Sequence, residues 1–315
     1  MFDLHYDLLT QVYINKDNPE KMKNNFRKIY NEKNIIGGIF NLFYMSPNEM
    51  KDELNINLNE INIIENLKEV NNLIKKYELI QKEIKYIIGV EGLDYLERID
   101  DIDILYKLGV RSTNIVWNNN NKFGGGARGN KEQGLTKMGE QLIEKLVQKN
   151  IAIDLSHANI KTFYGIIEKC KELKNKGFNP IVFASHSNSK RICNVPRNLT
   201  DNQIREIAKL GGVIGIVGIK QFCTLKCNTS NYCEEYIKHI NYVRYLLEET
   251  ENICVSTDNM EYYKIKPEKY KTMNVFKQEN VKEKIEKTLK ENGYTKEMID
   301  NILYKNFETK ILQRL

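Results

Sequence analysis

The feature that most constrains the fold is a regular alternation of short apolar runs with amphipathic stretches along nearly the whole chain. In the amphipathic stretches apolar residues recur at helical spacing, and this order is typical of a parallel sheet with helices on both faces. The apolar runs with strand character are residues 2–5, 35–44, 84–90, 111–116, 151–155, 181–185, 213–217 and 253–257.

Eight such units favour a closed (β/α)8 barrel, the TIM barrel fold, over an open sheet. The chain has 315 residues, within the range of one such barrel, and no internal repeat or Pro- or Ser-rich linker divides it. We therefore predict that residues 1–315 form a single α/β domain. Helical patterns between the strands include residues 19–30, 61–77, 139–149, 201–210 and 235–249.

Composition argues against two classes of partner. The formal net charge is +6, but lysines alternate with glutamates, as in residues 282–292. That pattern indicates solvated helix faces, so we expect no nucleic-acid partner. We expect no membrane partner either, because no apolar run is long enough to span a bilayer. The first residues do not resemble a signal peptide, and the six cysteines are then most simply reduced thiols of a cytoplasmic protein.

Three of the four histidines stand at the downstream ends of apolar runs, namely His5, His157 and His186. Carboxylates occupy corresponding places: Asp7 follows His5 at the first strand, Glu91 ends the third strand and Asp258 ends the eighth. In a barrel these ends share one rim, where catalysis takes place. Imidazoles and carboxylates gathered there can hold two divalent ions, with one carboxylate bridging them. The fourth histidine, His239, falls within a helical pattern, and we interpret it as structural.

Seven segments of the chain carry a specific resemblance: DLHYD, GVEG, LGVRSTNIVWN, GLTKMGEQLIEKLVQKNIAIDLSHAN, PIVFASHSNSKRICNVPRNLTDNQIREIAKLGGVIGI, VSTDNM and IDNILYKNFETKIL. They cover nearly the whole chain. IDLSH together with the SHS and PRN segments is highly specific, whereas the His-x-Asp pair near the start is weak by itself. In sequence and in order the segments resemble the membrane (renal-type) dipeptidase family, the zinc dipeptidases of the amidohydrolase-like barrels.

The resemblance implies a barrel of the metal-dependent hydrolase type and a role for each rim residue. His5 and Asp7 would bind one metal ion. A second ion would be bound by His157 and His186, and Glu91 would bridge the two. The implied cofactor is two Zn²⁺ ions per chain, although Mn²⁺ or Co²⁺ would also suit ligands of this kind.

The resemblance also implies the reaction, hydrolysis of a dipeptide by a hydroxide that bridges the two metals. Asp258 would carry the proton from the attacking water to the departing amine. Arg197 would bind the free carboxylate of the substrate, a role that suits a planar and permanently charged guanidinium. A D-residue at the C-terminal side would be tolerated, and the assembly implied is a homodimer.

The chain departs from the family pattern at two places. Where relatives have a histidine after the fourth strand, this chain has Trp117. An indole can donate one hydrogen bond but cannot carry a proton. Either Trp117 or the neighbouring Asn118 substitutes in binding the substrate, or Trp117 only packs the pocket wall, or the substrate range differs. After Asp258, residues 259–261 replace the Phe-Asp-Gly that relatives usually have.

Two alternative functions remain open at this point. The same metals could act on another amide or on a lactone, for example on an N-acyl-amino acid. Alternatively, the two departures are compatible with a protein that binds metal and peptide but turns peptides over weakly. The spacing of Cys223, Cys227 and Cys233 fits neither a zinc ribbon nor a common cluster motif, and we interpret them as incidental thiols.

Overall fold

The structure is a computed structural model that describes residues 1–31, 34–43, 62–226, 232–259, 274–275 and 280–315. Its strands alternate with helices in the predicted order. The strands are β1 (Phe2–Tyr6), β2 (Gly37–Phe43), β3 (Lys85–Glu91), β4 (Val110–Asn114), β5 (Ala152–Asp154), β6 (Val182–Phe183), β7 (Ile214–Val217) and β8 (Ile253–Ser256).

The strands follow one another around a ring. β1 to β6 form one parallel sheet in chain order, and β7 pairs in parallel with β8. A parallel bridge between Ala184 and Ile214 joins β6 to β7. At the other edge, the Asp258 N–H donates to the His5 carbonyl at 3.1 Å, which brings the end of β8 to β1. The predicted (β/α)8 barrel is therefore confirmed.

Every predicted apolar run overlaps a strand, and β5 and β6 are among the strands that are shorter than their runs. The reason lies in the residues that follow each strand. The N–H groups of Ser156 and Ser185 both donate to the Asp154 Oδ1, each at 2.9 Å. Because these backbone groups bond a side chain, they leave the sheet ladder, and the strands end where the candidate site begins.

Several helices begin where the sequence supplies a capping side chain. Thr136 accepts the Gly139 N–H at 3.0 Å, and Asn159 accepts the Thr162 N–H at 2.9 Å. Each cap fixes a helix directly after a rim loop. The helices are α1 (Leu8–Ile14), α2 (Pro19–Asn31), α3 (Ile63–Tyr77), α4 (Ile102–Lys107), α5 (Lys137–Gln148), α6 (Ile160–Asn175), α7 (Asp201–Lys209), α8 (Lys220–Cys223), α9 (Tyr232–Leu247), α10 (Val281–Glu291), α11 (Lys296–Asp300) and α12 (Asn306–Lys310), with single 3-10 or π turns at Ile99–Asp101, Asn301–Lys305 and Leu312–Arg314.

The core has two parts. The larger apolar cluster joins helices and strands along most of the chain. The smaller cluster joins apolar side chains of six strands to the C-terminal helix α12, so it fills the ring opposite the candidate site; its members include Phe2, Leu4, Ile39, Ile87, Ala152, Phe183, Cys254 and Phe307. We find no helix within the described ranges that has the length and hydropathy needed to cross a bilayer.

The cysteines of the described ranges are free thiols. Cys223 is fully buried and Cys233 is partly buried, and burial raises the pKa of both. Such thiols are poorly reactive, as the interpretation of incidental reduced cysteines requires. Cys227, also in the predicted set, lies outside the described residues.

Candidate metal centre

The six predicted ligand side chains meet at the carboxyl ends of the strands. His5 lies in β1, and Glu91 is the last residue of β3. The other two histidines stand three residues beyond β5 and β6. All the histidines and Glu91 are buried, and the Asp258 side chain is 13% exposed. Residues far apart in the chain thus share one polar centre inside the rim.

One side of the centre is rich in imidazole. The Nε2 atoms of His157 and His186 are 2.8 Å apart. The Glu91 Oε1 lies 2.8 Å from the first of these nitrogens and 3.5 Å from the second. We call His157 and His186 the imidazole-rich side. Two nitrogens and an oxygen that converge in this way are a set of donors suited to Zn²⁺.

The opposite side is rich in acid. The His5 Nε2 lies 3.4 Å from the Asp7 Oδ1 and 4.0 Å from the Asp258 Oδ1. The Glu91 Oε2 is 3.5 Å from the same nitrogen. We call His5, Asp7 and Asp258 the acid-rich side. Glu91 therefore stands between the two sides and turns one oxygen toward each of them.

The ring nitrogens that face away from the centre are all held. The His157 Nδ1 lies 3.0 Å from the Asn118 Oδ1. The Nδ1 atoms of His5 and His186 lie 3.0 and 2.5 Å from the Ser185 Oγ. This arrangement aims each Nε2 at the centre, as metal-binding histidines require. The buried His5 Nε2 has no hydrogen-bond partner of good geometry among the described residues. The residues present therefore fit divalent cations.

The charges on the two sides differ. Burial lowers the pKa of His157 to about 3, and Arg197 acts in the same direction. Burial lowers the pKa of His186 as well, with contributions from His5 and Arg197. Both rings are therefore neutral at pH 7, the form that binds metal. Burial also lowers the pKa of His5, but the carboxylates of Glu91 and Asp7 outweigh it and raise this pKa well above its usual value.

Burial and the neighbouring charges also shift the pKa values of two carboxyl groups, Glu91 and Asp258. Burial opposes the charge on Glu91, yet His5 and His157 hold its pKa below the usual range. Burial raises the pKa of Asp258 to about 7, and the neighbouring Asp7 adds to this effect. The acid-rich side thus crowds carboxyl groups together, and a bound cation would stabilise their charged forms.

Two buried aspartates support the centre, and neither was among the predicted site residues. Asp154 accepts two backbone N–H groups at Oδ1 and the Ser185 hydroxyl at Oδ2, 2.5 Å away. We call Asp154, Ser156 and Ser185 the Asp154 cluster. The sequence feature that could have identified Asp154 is its position at the end of its strand, within IDLSH.

The second support repeats this arrangement. The Asp3 Oδ1 accepts the His5 N–H at 3.2 Å and the Thr257 N–H at 2.9 Å, and its other oxygen accepts the Thr257 hydroxyl. We call Asp3, His5 and Thr257 the Asp3 cluster. It joins β1 to the end of β8 directly before Asp258. Each side of the centre is therefore held by an aspartate that bonds a neighbouring strand.

Two site residues have left-handed backbone conformations. φ is 71° at His157 and 47° at Asp258. For residues other than glycine this region costs about 1–3 kcal/mol, and it is found most often at functional sites. The His157 carbonyl accepts the Ala127 N–H at 2.7 Å, and the Asp258 N–H bonds the His5 carbonyl. These bonds hold both residues in the conformation that turns their side chains to the centre.

Arg197 lies at the edge of the imidazole-rich side. Its Nη2 is 3.5 Å from the His186 carbonyl, and its guanidinium lies over the Phe222 ring. The residue is 5% exposed and forms no ion pair with a described carboxylate. Burial lowers its pKa to about 10, so it remains charged at neutral pH. A buried cation without an ion-pair partner favours an anionic ligand.

Trp117 and Asn118 both contact His157. The Trp117 ring stacks on His157 with centroids 5.6 Å apart and also packs against Phe43. The Asn118 Oδ1 is engaged with the His157 Nδ1, which leaves only its amide nitrogen for a substrate. Both residues thus lie beside the imidazole-rich side. Of the residues after Asp258, Met260 and Glu261 lie outside the described ranges.

The fourth histidine is apart from the centre. The buried His239 accepts the Ser189 N–H at Nδ1, and its Nε2 lies 2.9 Å from the Cys223 carbonyl. Both ring nitrogens are engaged with backbone atoms. This placement agrees with the structural interpretation of His239.

Comparison with known proteins decides the family. The profile of the membrane dipeptidase family, peptidase family M19, matches residues 1–313. The chain belongs to this family. Among curated relatives, a protein of Klebsiella pneumoniae from the region 5′ of pqqA is 37% identical over 139 residues. That stretch is 42% of this chain and 48% of the relative, so the match spans less than half of either.

Solved structures of M19 proteins have the same fold. The dipeptidase AC, a metallo peptidase of family M19, is similar with a TM-score of 0.74 at 20% identity, covering 98% of each chain. A metallo peptidase from Rhodobacter sphaeroides, solved with a phosphinate mimic of the dipeptide L-Ala-D-Ala, also has a TM-score of 0.74, at 18% identity. The match covers 100% of this chain and 99% of the Rhodobacter sphaeroides chain. At such identities the likeness establishes the M19 fold.

Proposed function

We propose that this M19 protein is a metal-dependent dipeptidase that uses two Zn²⁺ ions. The observation that carries the proposal is the convergence of three imidazole Nε2 atoms and three carboxylates beside a buried guanidinium. Membership of the family and the barrel fold support the same activity. Mn²⁺ or Co²⁺ would also fit the donor set.

The two sides of the centre would each hold one ion. His5 and Asp7 would bind the first, and the imidazole-rich side would bind the second. The opposite directions of the two Glu91 oxygens support a bridging role for this carboxylate. When bound, two divalent cations lower the pKa of water and polarise a carbonyl, which is the chemistry that hydrolysis of an amide needs.

The protein residues would then position the substrate and move the proton. Asp258 is partly accessible and lies beside the acid-rich side. It would take the proton of the attacking water and return it to the departing amine. Arg197 would bind the free carboxylate of the substrate. Because Arg197 touches the His186 carbonyl, the anchored carboxylate would lie close to the scissile bond, which favours short peptides.

The stereochemistry of the substrate is part of the proposal. The Rhodobacter sphaeroides structure contains a mimic of L-Ala-D-Ala. We therefore extend the proposal to dipeptides with a C-terminal D-residue. A panel of L,L- and L,D-dipeptides, N-acetyl-amino acids and lactones would separate dipeptidase activity from the alternative hydrolase functions.

Removal of the metal tests the central claim. Protein dialysed against a chelator should lose dipeptidase activity and regain it when Zn²⁺ is added, with two ions bound per chain. Metal content and hydrolysis rate would be measured on the same samples. Activity that persists after the metal has been removed would contradict the proposal.

A variant of Arg197 tests the substrate class. Arg197→Ala should weaken binding of dipeptides by about 2–5 kcal/mol, since it removes one partner of a buried charge pair. A C-terminally amidated dipeptide has no carboxylate, and its binding should change little. Equal losses for both ligands would show that Arg197 does not bind the carboxylate.

The arrangement of the ring supports one further proposal, that residues 1–315 act as one domain. Strands from opposite ends of the chain adjoin where the Asp258 N–H bonds the His5 carbonyl. The ring is therefore complete only with strands from both ends of the chain. The cytoplasmic location and the homodimer remain predictions.

A further inference from the structure

The Ser185 hydroxyl is placed between three groups of the centre. Its oxygen lies 2.5 Å from the Asp154 Oδ2, 2.5 Å from the His186 Nδ1 and 3.0 Å from the His5 Nδ1. The Ser156 Oγ is a fourth neighbour at 3.4 Å. Ser185 itself is 1% exposed, so bulk water does not compete for these contacts.

The direction of these hydrogen bonds follows from the number of protons. A serine hydroxyl has one hydrogen to donate and two lone pairs to accept with. The Asp154 carboxylate already accepts two N–H groups and can only accept from Ser185. The hydroxyl hydrogen therefore points to Asp154. Both lone pairs of the Ser185 oxygen are left for the N–H groups of the two imidazoles.

We infer that Ser185 is a positioning residue that fixes the tautomer of His5 and His186 together, and so orients one ligand of each of two metal ions. In the metal-bound protein each ring would keep its proton on Nδ1 and bind an ion through an unprotonated Nε2. Outer contacts of this kind set the orientation and basicity of metal-binding histidines. This inference rests on the proposed metal centre, and it adds a residue through which the two metal sites are coupled.

The backbone around Ser185 holds the hydroxyl in place. Its N–H donates to the Asp154 Oδ1 at 2.9 Å. A Cβ at Gly215 would lie 1.9 Å from the Ser185 carbonyl oxygen, so β7 can approach this residue only because position 215 is glycine. The serine is therefore fixed from two strands, β5 and β7.

The two imidazoles depend on Ser185 to different degrees. The His5 Nδ1 also lies 3.1 Å from the Asn41 Nδ2, and a protonated Nδ1 can bond to this amide only when the Asn41 oxygen is turned to the ring, so this ring has a second neighbour. For the His186 Nδ1, Ser185 is the hydrogen-bond partner found among the described residues. Loss of the hydroxyl should therefore affect His186 more strongly than His5.

Variants of the full-length protein test this role through metal binding. In a zinc titration against a competing chelator, Ser185→Ala should lower the affinity for both ions, by about 10–100-fold. Ser185→Thr retains the hydroxyl and should restore much of the affinity. The control is Thr288→Val, which removes a hydroxyl that bonds the Lys284 carbonyl within α10 and should leave zinc affinity close to that of the wild type.

A spectroscopic readout reports on the tautomer itself. The chain has four histidines, so ring N–H signals of ¹⁵N-labelled, zinc-loaded protein can be assigned one by one. The wild type should show slowly exchanging Nδ1 protons on His5 and His186. In Ser185→Ala the His186 proton should exchange rapidly, whereas the His157 proton, bonded to Asn118, should not change.

The outcomes distinguish this inference from the proposed function. If the wild type binds no zinc, the metal centre itself is wrong. If it binds two ions and Ser185→Ala binds them equally well, Ser185 has no positioning role. If the alanine variant does not fold, the wild-type spectrum decides, and the absence of a protected Nδ1 proton on His186 would overturn the inference.

Discussion

The two sides of the centre share one hydrogen-bond arrangement. The acid-rich side lies between β8 and β1, and the imidazole-rich side lies between β5 and β6. In each, a buried aspartate accepts two N–H groups with one oxygen and a hydroxyl with the other. They differ in what the hydroxyl does next. Ser185 also contacts two imidazoles, whereas the Thr257 hydroxyl bonds Asp3 next to the backbone of Asp258.

The difference shows how one local arrangement can serve two purposes. The Asp3 cluster joins the first and last strands and so closes the ring close to its acid-rich side. The Asp154 cluster joins two adjacent strands. Its Ser185 hydroxyl also contacts the Nδ1 atoms of His5 and His186. The surrounding charges follow this division, because carboxylates raise the pKa of His5 while burial keeps His157 and His186 neutral.

The largest effect is expected where the two sides meet. Glu91→Gln replaces the carboxylate that faces both sides with a neutral amide. Dipeptide hydrolysis should fall about a thousandfold or more, because charge stabilisation by the metals contributes several kcal/mol. Zinc content, measured on the same samples, should drop below two per chain. A glutamine variant that retains both ions would show that the two sides do not share this carboxylate.

A smaller effect is expected from the two supporting aspartates. Asp154→Asn and Asp3→Asn each weaken several hydrogen bonds to a buried charged group, so each should lower the free energy of unfolding by about 1.5–3 kcal/mol. Chemical denaturation of the metal-free proteins would measure this. Zinc affinity should fall more in Asp154→Asn than in Asp3→Asn, because only the Asp154 cluster contacts imidazole ring nitrogens. If both variants lose zinc affinity equally, the two clusters have the same role.

The smallest effect is expected at Trp117. A phenylalanine retains the stacking on His157 but has no N–H. If Trp117 acts by packing, as its ring contacts favour, kcat/KM of Trp117→Phe should change only a few-fold. A loss of about a hundredfold would instead indicate that the indole donates to the developing oxyanion. Kinetics with one dipeptide and its amidated analogue would separate the two roles.

Much of this protein could be predicted from the sequence. The eight apolar runs fixed the strand order, because strand and helix periodicities are local properties of the chain. The positions of three histidines at the downstream ends of apolar runs predicted a shared rim, and His5, His157 and His186 do meet there. The quoted segments also indicated the family, which the profile over residues 1–313 confirms.

Other features depended on the tertiary structure. The local sequence FASHS does not indicate that Ser185 contacts His5, because these two residues are 180 positions apart. The similar hydrogen-bond patterns of Asp3 and Asp154 likewise appear only when strands adjoin. Hydrogen-bond direction, burial and the resulting pKa values depend on distances between distant segments. The sequence by itself determined the barrel and its candidate ligands, and packing decided which side chains hold those ligands in place.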